Sequence, residues 1–456
     1  MPEWALSLVT GMGLIFVLGA VGVPIAFSLV AAGFLCISLF MTPMTALTAL
    51  KVVLFGAVTE ASLLPVPLFV LMASLFIVSG ASTRTYDAFA RIFGGFRAGL
   101  LVATNGMLAF LGSLMGSSSA AITMVTQMGA PELKARGYSN SAIAGVIIGG
   151  SGLAVVIPPS ILMILYSVVM EVPVVPLFAA GLIPGLLLGL GNTLWIIFYT
   201  RLYPPRKLSP ESTCAKEAVD GPAFSEGAAA ALRGEIGFAG RLRAIWDLMP
   251  LVSVAVLMLG SMFLGLASVT EGAAIGALGA LIVGMRHLTF RKLAWALSNT
   301  AQITCFIMML IVGGRYFGMY FSLTGISQEF ISWIETLPLT GMQLLFAIMV
   351  IFLLLGCVME TISMMLVVVP IAAVVLTTAG FNPIVLGVLF VINMEISLMT
   401  PPLGSNLFVL AGVGRPFGIS FEQIVRGSVP YVIIAFLTIM LVAQFPALAT
   451  FLPSLL

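Results

Sequence analysis

Residues 148–166 read IGGSGLAVVIPPSILMILY, and residues 392–410 read INMEISLMTPPLGSNLFVL. Each is an apolar run broken by adjacent prolines, Pro158-Pro159 in one and Pro401-Pro402 in the other, 243 residues apart. A proline pair inside a helix removes two backbone donors and frees carbonyls one turn earlier. The freed oxygens belong to Ala154, Val155 and Ile157 in the first run, and to Ser397, Leu398 and Thr400 in the second. One such kink is ordinary in a membrane helix, whereas two at matched positions form a pattern.

Four more landmarks recur at nearly the same spacing. Gly137-Tyr138 returns as Gly380-Phe381 after 243 residues, and Gly112 as Gly356 after 244. Gly80, before the amphipathic TYDAFARIF, finds Gly325 before SQEFISWIETL after 245, and GLIP at 181–184 matches GSVP at 427–430 after 246. Such a drifting offset is the mark of a duplicated half, as in many transporters.

Composition fixes the solvent. Of 456 residues, 61% are apolar and only 8% charged, against about 25% charged in an average soluble domain. At about 20 residues per span, the apolar content supplies on the order of a dozen membrane crossings. The net charge of +2 gives no reason to expect nucleic acid. The four cysteines, Cys36, Cys214, Cys305 and Cys357, lack metal-site or disulfide spacing. The single histidine, His287, sits beside Arg286 in a polar loop. The stretch from Ala5 to Val21 has no basic lead and no small-residue cleavage site, so it reads as a retained first span.

Charge placement predicts the topology. Arg201 to Asp247 carries 13 of the 36 charges and several prolines, and reads as a polar cytoplasmic linker between halves 1–200 and 248–456. Further basic clusters stand at Arg84, Arg91 and Arg97, at Lys134 and Arg136, at Arg286, Arg291 and Lys292, and at Arg415 and Arg426. With all of these inside, the N-terminus lies outside and the stretch 99–129 leaves and returns to the cytoplasmic side. It is a re-entrant hairpin or a pair of spans, and Gly112, Ser113 and Gly116 to Ser119 at its middle favour a break lining a cavity. The second half is then inverted, with a hairpin at about 341–377. Broken helices fall at about 141–170 and 383–413, and the segments 43–61 and 288–303, amphipathic and related by the repeat, read as interfacial arms or as ordinary spanning helices. The fold class is an all-α polytopic membrane protein of two inverted repeats.

Ionisable residues inside apolar runs mark function by default. Glu360, in GCVMETISMM, falls at the second hairpin tip, Glu395 lies six residues before Pro401, and Arg315 interrupts IVGGRYFGMY. Arg315 has three readings open: a substrate carboxylate, a glutamate partner, or the outer interface. Carbonyls plus hydroxyls at two breaks suit a hard cation such as sodium, by analogy with other oxygen-bound ions. A serine hydrolase is excluded by the lack of a nearby base. An ATP-driven pump is excluded by the absence of any Gly-Lys dipeptide for a phosphate-binding loop. Paired midplane breaks suit occlusion better than a passive channel.

Six motifs resemble the large membrane subunit of tripartite ATP-independent periplasmic (TRAP) transporters: PVPLFVLMASLFIVSG (65–80), GSSSAAI (116–122), IPPSI (157–161), AGLIPGLLL (180–188), METISMM (359–365) and MEISLMTPPLGSNLFVL (394–410). The resemblance implies an elevator-like movement of the hairpin-containing part, coupled to entry of about two or more sodium ions. Carried over by motif, one sodium site combines Ser117 and Ser118 with backbone near Ala154 and Pro158. Its mate combines Glu360 and Thr361 with Ser397, Thr400 and Pro401. Substrate lies between the tips, with Ser119, Asn406 and Arg315 as candidates. The family usually has glycine at the positions of Ala154 and Ser397, and often aspartate followed by proline at the second tip, where this chain has METIS. The implied partners are a separate small membrane subunit of about four spans and a periplasmic substrate-binding protein. The implied cargo is an organic acid, and the implied location is the bacterial inner membrane. The competing reading is a stand-alone cation-coupled dicarboxylate or anion carrier.

Overall fold

The computed structural model describes residues 3–205, 237–335, 339–356, 359, 361–401 and 404–456. All regular structure among them is helical. Six helices are long and apolar enough to cross a membrane, or seven if the bent pair Asn140–Val156 and Ile161–Met170 counts as one. Glu360 and Pro402 lie outside the described residues.

Two helices form the centre. Every residue from Ala142 to Val156, and every residue from Val385 to Met399, is buried. A helix that is apolar all round belongs in the interior rather than at a surface. Glycines let neighbours approach to backbone distance: a Cβ on Gly145 would meet the Gly427 carbonyl oxygen at 2.5 Å. The two halves are thus interlocked. Tyr166 donates to the Pro383 carbonyl at 2.6 Å, and Asn140 donates to the Gly418 carbonyl at 2.8 Å.

Around this centre stand two matched sets of elements. Gly99–Met115 and Ser118–Ala135 form a helical hairpin, and Gly341–Gly356 with Thr361–Thr378 forms its counterpart. Each precedes a broken helix of 17 and 10 residues: Asn140–Val156 with Ile161–Met170, and Pro383–Met399 with Ser405–Gly414. The first broken pair bends by 42°.

A second packed cluster lies to one side, where Ile15, Leu29 and Ile37 meet Tyr316, Phe317 and Tyr320. Tyr316 donates to the Ala46 carbonyl at 2.8 Å, and Tyr320 to the Ser7 carbonyl at 2.9 Å. Residues 288–303 do not form a segment of their own: Phe290–Leu323 is one unbroken helix of 34 residues, about 51 Å long at 1.5 Å per residue. It exceeds a hydrocarbon core of about 30 Å, so one end leaves the core. Residues 43–61 form the helix Pro43–Thr59, capped by Thr42, whose side chain accepts from the Thr45 N–H, and a following short turn at Ala61–Leu63.

Candidate functional site

At the first hairpin tip the chain must reverse between two helices in a single step. Gly116 supplies the left-handed conformation, φ 62°, and closes the helix by donating to the Gly112 carbonyl at 2.8 Å. Ser117 then caps the next helix, its hydroxyl accepting from the Ala120 N–H at 3.4 Å. That is the ordinary use of serine before a helix, and it leaves Ser118 and Ser119 on the first turn. The Ser119 hydroxyl donates to Asn406 Oδ1 at 3.1 Å, and Asn406 Nδ2 donates to Ser118 Oγ at 3.2 Å. One tip is therefore stitched to the second broken helix, nearly 290 positions away in sequence.

The break beside this tip follows from its prolines. Pro158 and Pro159 have no N–H to offer to Ala154 and Val155, the carbonyls four residues earlier. The chain then restarts at Ser160, whose hydroxyl accepts from the Met163 N–H at 3.4 Å. Gly112 faces Ala154 so closely that a Cβ on the glycine would lie 2.3 Å from the alanine Cβ. Gly356 stands to Ser397 in the same way, 2.1 Å from Oγ. At both crossings the hairpin contributes the glycine and the broken helix the side chain. At the second break the Ser397 carbonyl accepts from the Thr400 N–H at 3.3 Å, and that of Thr400 from the Gly404 N–H at 3.2 Å.

Beside the first tip and the start of Thr361–Thr378 lies a cavity of about 340 Å³, within the range of small-molecule sites. One wall comes from Pro65–Val78 and Phe290–Leu323, and is apolar except where Asn299 donates to Ser74 Oγ at 3.0 Å. The other wall joins helix beginnings to the last turns of three helices, at Met115, Val155 and Leu398. Ser118 and Ser119, Ile161 and Leu162, Thr361 and Ile362, and Ser405 are the first residues of four different helices, and all line the cavity. Each helix start carries unsatisfied N–H groups and a partial positive charge, which favour an anion. No lysine or arginine is among the described lining residues, and the one ionisable group there is Glu395.

The residues singled out in the sequence divide accordingly. Ser117, Ser118, Ser119 and Thr361 line the cavity. Ala154, Ser397 and Asn406 are fully buried immediately behind it, while Pro401 is exposed and Thr400 half-buried. Pro158 is buried. Glu360 lies outside the described residues. Arg315 is placed elsewhere: its Nη1 lies 2.5 Å from Oε2 of Glu60, the nearest way for a guanidinium in apolar surroundings to find a counter-charge. The convergence of four helix starts and the Ser74–Asn299 pair carried no local sequence signal. Glu395 did, as a charge inside an apolar run.

Comparison with known proteins places this architecture among relatives. Residues 12–448 match the family described as tripartite ATP-independent periplasmic transporter, DctM component. The chain is 30% identical over 431 residues to the C4-dicarboxylate TRAP transporter large permease protein DctM of Pseudomonas aeruginosa, covering 94% of each. It is 29% identical to the 2,3-diketo-L-gulonate TRAP transporter large permease protein YiaN of Escherichia coli, covering 91% of this chain and 92% of that one. Its fold is similar to the crystal structure of the YdaH transporter of Alcanivorax borkumensis, with a TM-score of 0.61 over 90% of both chains at 14% identity.

Proposed function

The chain belongs to the DctM-component family of tripartite ATP-independent periplasmic transporters, and from that premise we propose that it is the large permease of a sodium-coupled importer of an organic acid. As a family member it is a multi-pass protein of the bacterial inner membrane that works with a periplasmic substrate-binding protein and a small membrane subunit. The small subunit has about four spans. The N-terminus faces the periplasm and the linker 201–247 the cytoplasm. The halves 1–200 and 248–456 are inverted repeats, and their hairpins and broken helices move together as an elevator against the remaining helices.

The observation that carries the reading is the set of four helix starts around a cavity with no basic side chain among its described residues. Broken helices that aim their N-termini at an anionic group and their freed carbonyls at cations are the transporter form of helix-end ion binding. Ser117, Ser118 and the backbone near Ala154 and Pro158 would hold one sodium ion. Glu360, Thr361, Ser397, Thr400 and Pro401 would hold another, and the ions would supply the positive charge that the cavity's side chains lack. Ser119 faces the cargo from the first tip, and Asn406, on the second broken helix, holds that serine from behind.

Uptake of labelled organic acids into proteoliposomes holding this chain and its small partner tests the proposal. Uptake is expected only with the binding protein and an inward sodium gradient. Uptake without the binding protein would instead establish a stand-alone carrier, and uptake indifferent to sodium would remove both cation sites.

A further inference from the structure

A carboxylate is an odd fitting for a cavity that receives an anion. Glu395 lines the cavity and is only 3% exposed. It stands on the central helix of the second half and lines the cavity together with Ser118, at the tip of the first. Ser118 is itself fixed by Asn406, and Asn406 by Ser119. These hydrogen bonds fix the tip beside the carboxyl group and leave the group itself out. Its Oε2 is buried with no hydrogen-bond partner, and a buried charged acceptor left so is costly. No basic residue among the described lining residues neutralises it, and the described residues hold no group of three or more His, Cys, Asp or Glu that would make a multivalent metal site there.

We propose that Glu395 accepts a hydrogen bond from the cargo, so that the preferred substrate is an organic acid carrying at least one hydroxyl or N–H group beside its carboxylate. The inference rests on the organic-acid reading above and adds which acids fit. The cavity divides the work by charge. The helix starts take the carboxylate, and Glu395 takes the donor at the other end. A second carboxylate brought to Glu395 meets a like charge, and an acid without a donor leaves the carboxyl group unpaired. A site built to hydrogen-bond a substrate group rejects the analogue lacking it far more strongly than a purely apolar pocket rejects a shape change.

The test is equilibrium binding to the purified chain with its small partner in nanodiscs, in sodium-containing buffer. Matched pairs are compared: lactate with propionate, malate with succinate, gluconate with hexanoate. The donor-bearing member is expected to bind about tenfold or more tightly, and E395M, similar in size but with no oxygen acceptor, to bring the ratio to within about twofold. S118A, which alters the tip beside Glu395 and leaves the carboxyl group in place, is expected to weaken both members of a pair alike. An unchanged ratio in E395M overturns the proposal. So does a shift in sodium dependence with the ratio intact, which would assign Glu395 to a cation site. If no acid of any pair binds, the organic-acid reading falls, and this inference with it.

Discussion

Gly112 packs against Ala154 so tightly that a Cβ on the glycine would sit 2.3 Å from the alanine Cβ. Hairpin and broken helix meet there without a side chain between them. Gly112→Ala is expected to destabilise the protein by about 1–3 kcal/mol through overpacking and to depress sodium-driven uptake. The exchanged pair, Gly112→Ala with Ala154→Gly, restores the volume and is expected to recover most of both. Thermal unfolding of the purified protein and uptake, measured on the same samples, check it.

Arg315 and Glu60 are 2.5 Å apart, with side chains 30% and 27% exposed. If their role is to brace two helices, Glu60→Gln and Arg315→Gln each lower uptake, and the reversed pair Glu60→Arg with Arg315→Glu recovers it in part. A direct contact between Arg315 and the cargo carboxylate predicts the opposite for the reversed pair, which would stay inactive. Uptake by the three variants at matched expression separates the two.

Ser117 caps its helix through a side-chain oxygen. Ser117→Ala removes that acceptor at a cost of about 1 kcal/mol and withdraws a hydroxyl from the proposed sodium site. The half-saturating sodium concentration for uptake is expected to rise several-fold, whereas Ser117→Thr, which keeps the oxygen, stays near the parent value. Equal effects of the two substitutions would argue that bulk at the tip matters and not the hydroxyl.

Asn406 joins Ser118 and Ser119 with one amide. Asn406→Asp keeps the shape but adds a negative charge behind the helix starts that favour the anion. In a medium of low dielectric such a charge acts strongly, and cargo affinity is expected to fall by well over about tenfold. Asn406→Gln, longer but neutral, serves as the comparison in the same binding assay.

The orientation is open to chemical labelling. Tyr203 is 65% exposed beside the linker, and Leu266 is 78% exposed in the turn between Phe238–Phe263 and Val269–Gly284. Cysteines placed there one at a time in a cysteine-free background should differ. With the linker inside, Leu266→Cys reacts with a membrane-impermeant maleimide on intact spheroplasts, while Tyr203→Cys reacts only after the membrane is opened. The reverse pattern would overturn the topology drawn from the basic clusters.

Sequence alone determined the elements. A proline pair removes backbone donors wherever the chain goes, so the breaks at Pro158 and Pro401 were legible as local events. Gly112, Ser113 and Gly116 to Ser119 likewise announced a break as poor helix formers, though not which of them would cap the next helix. Composition settled the membrane class, because an 8% charged chain lacks the polar surface for water. The arm at 288–303 read as separate because it is amphipathic and matches 43–61 by the repeat. From Phe290 on it instead begins one helix that runs unbroken to Leu323, since nothing in its residues stops the hydrogen-bond ladder.

Tertiary structure alone decided which ends meet. Ser118 finds Asn406 across 288 positions and Arg315 finds Glu60 across 255. No periodicity records such encounters, since each residue's neighbours in sequence are compatible with several partners. The four helix starts around the cavity are likewise a property of assembly. Each start is an ordinary helix end by itself, and only the fold brings the four to one cavity whose described lining residues include no basic side chain. Glu395 combines both cases: its sequence marked it as a charge out of place, and only the fold placed it at the cavity, with Oε2 buried and unpaired.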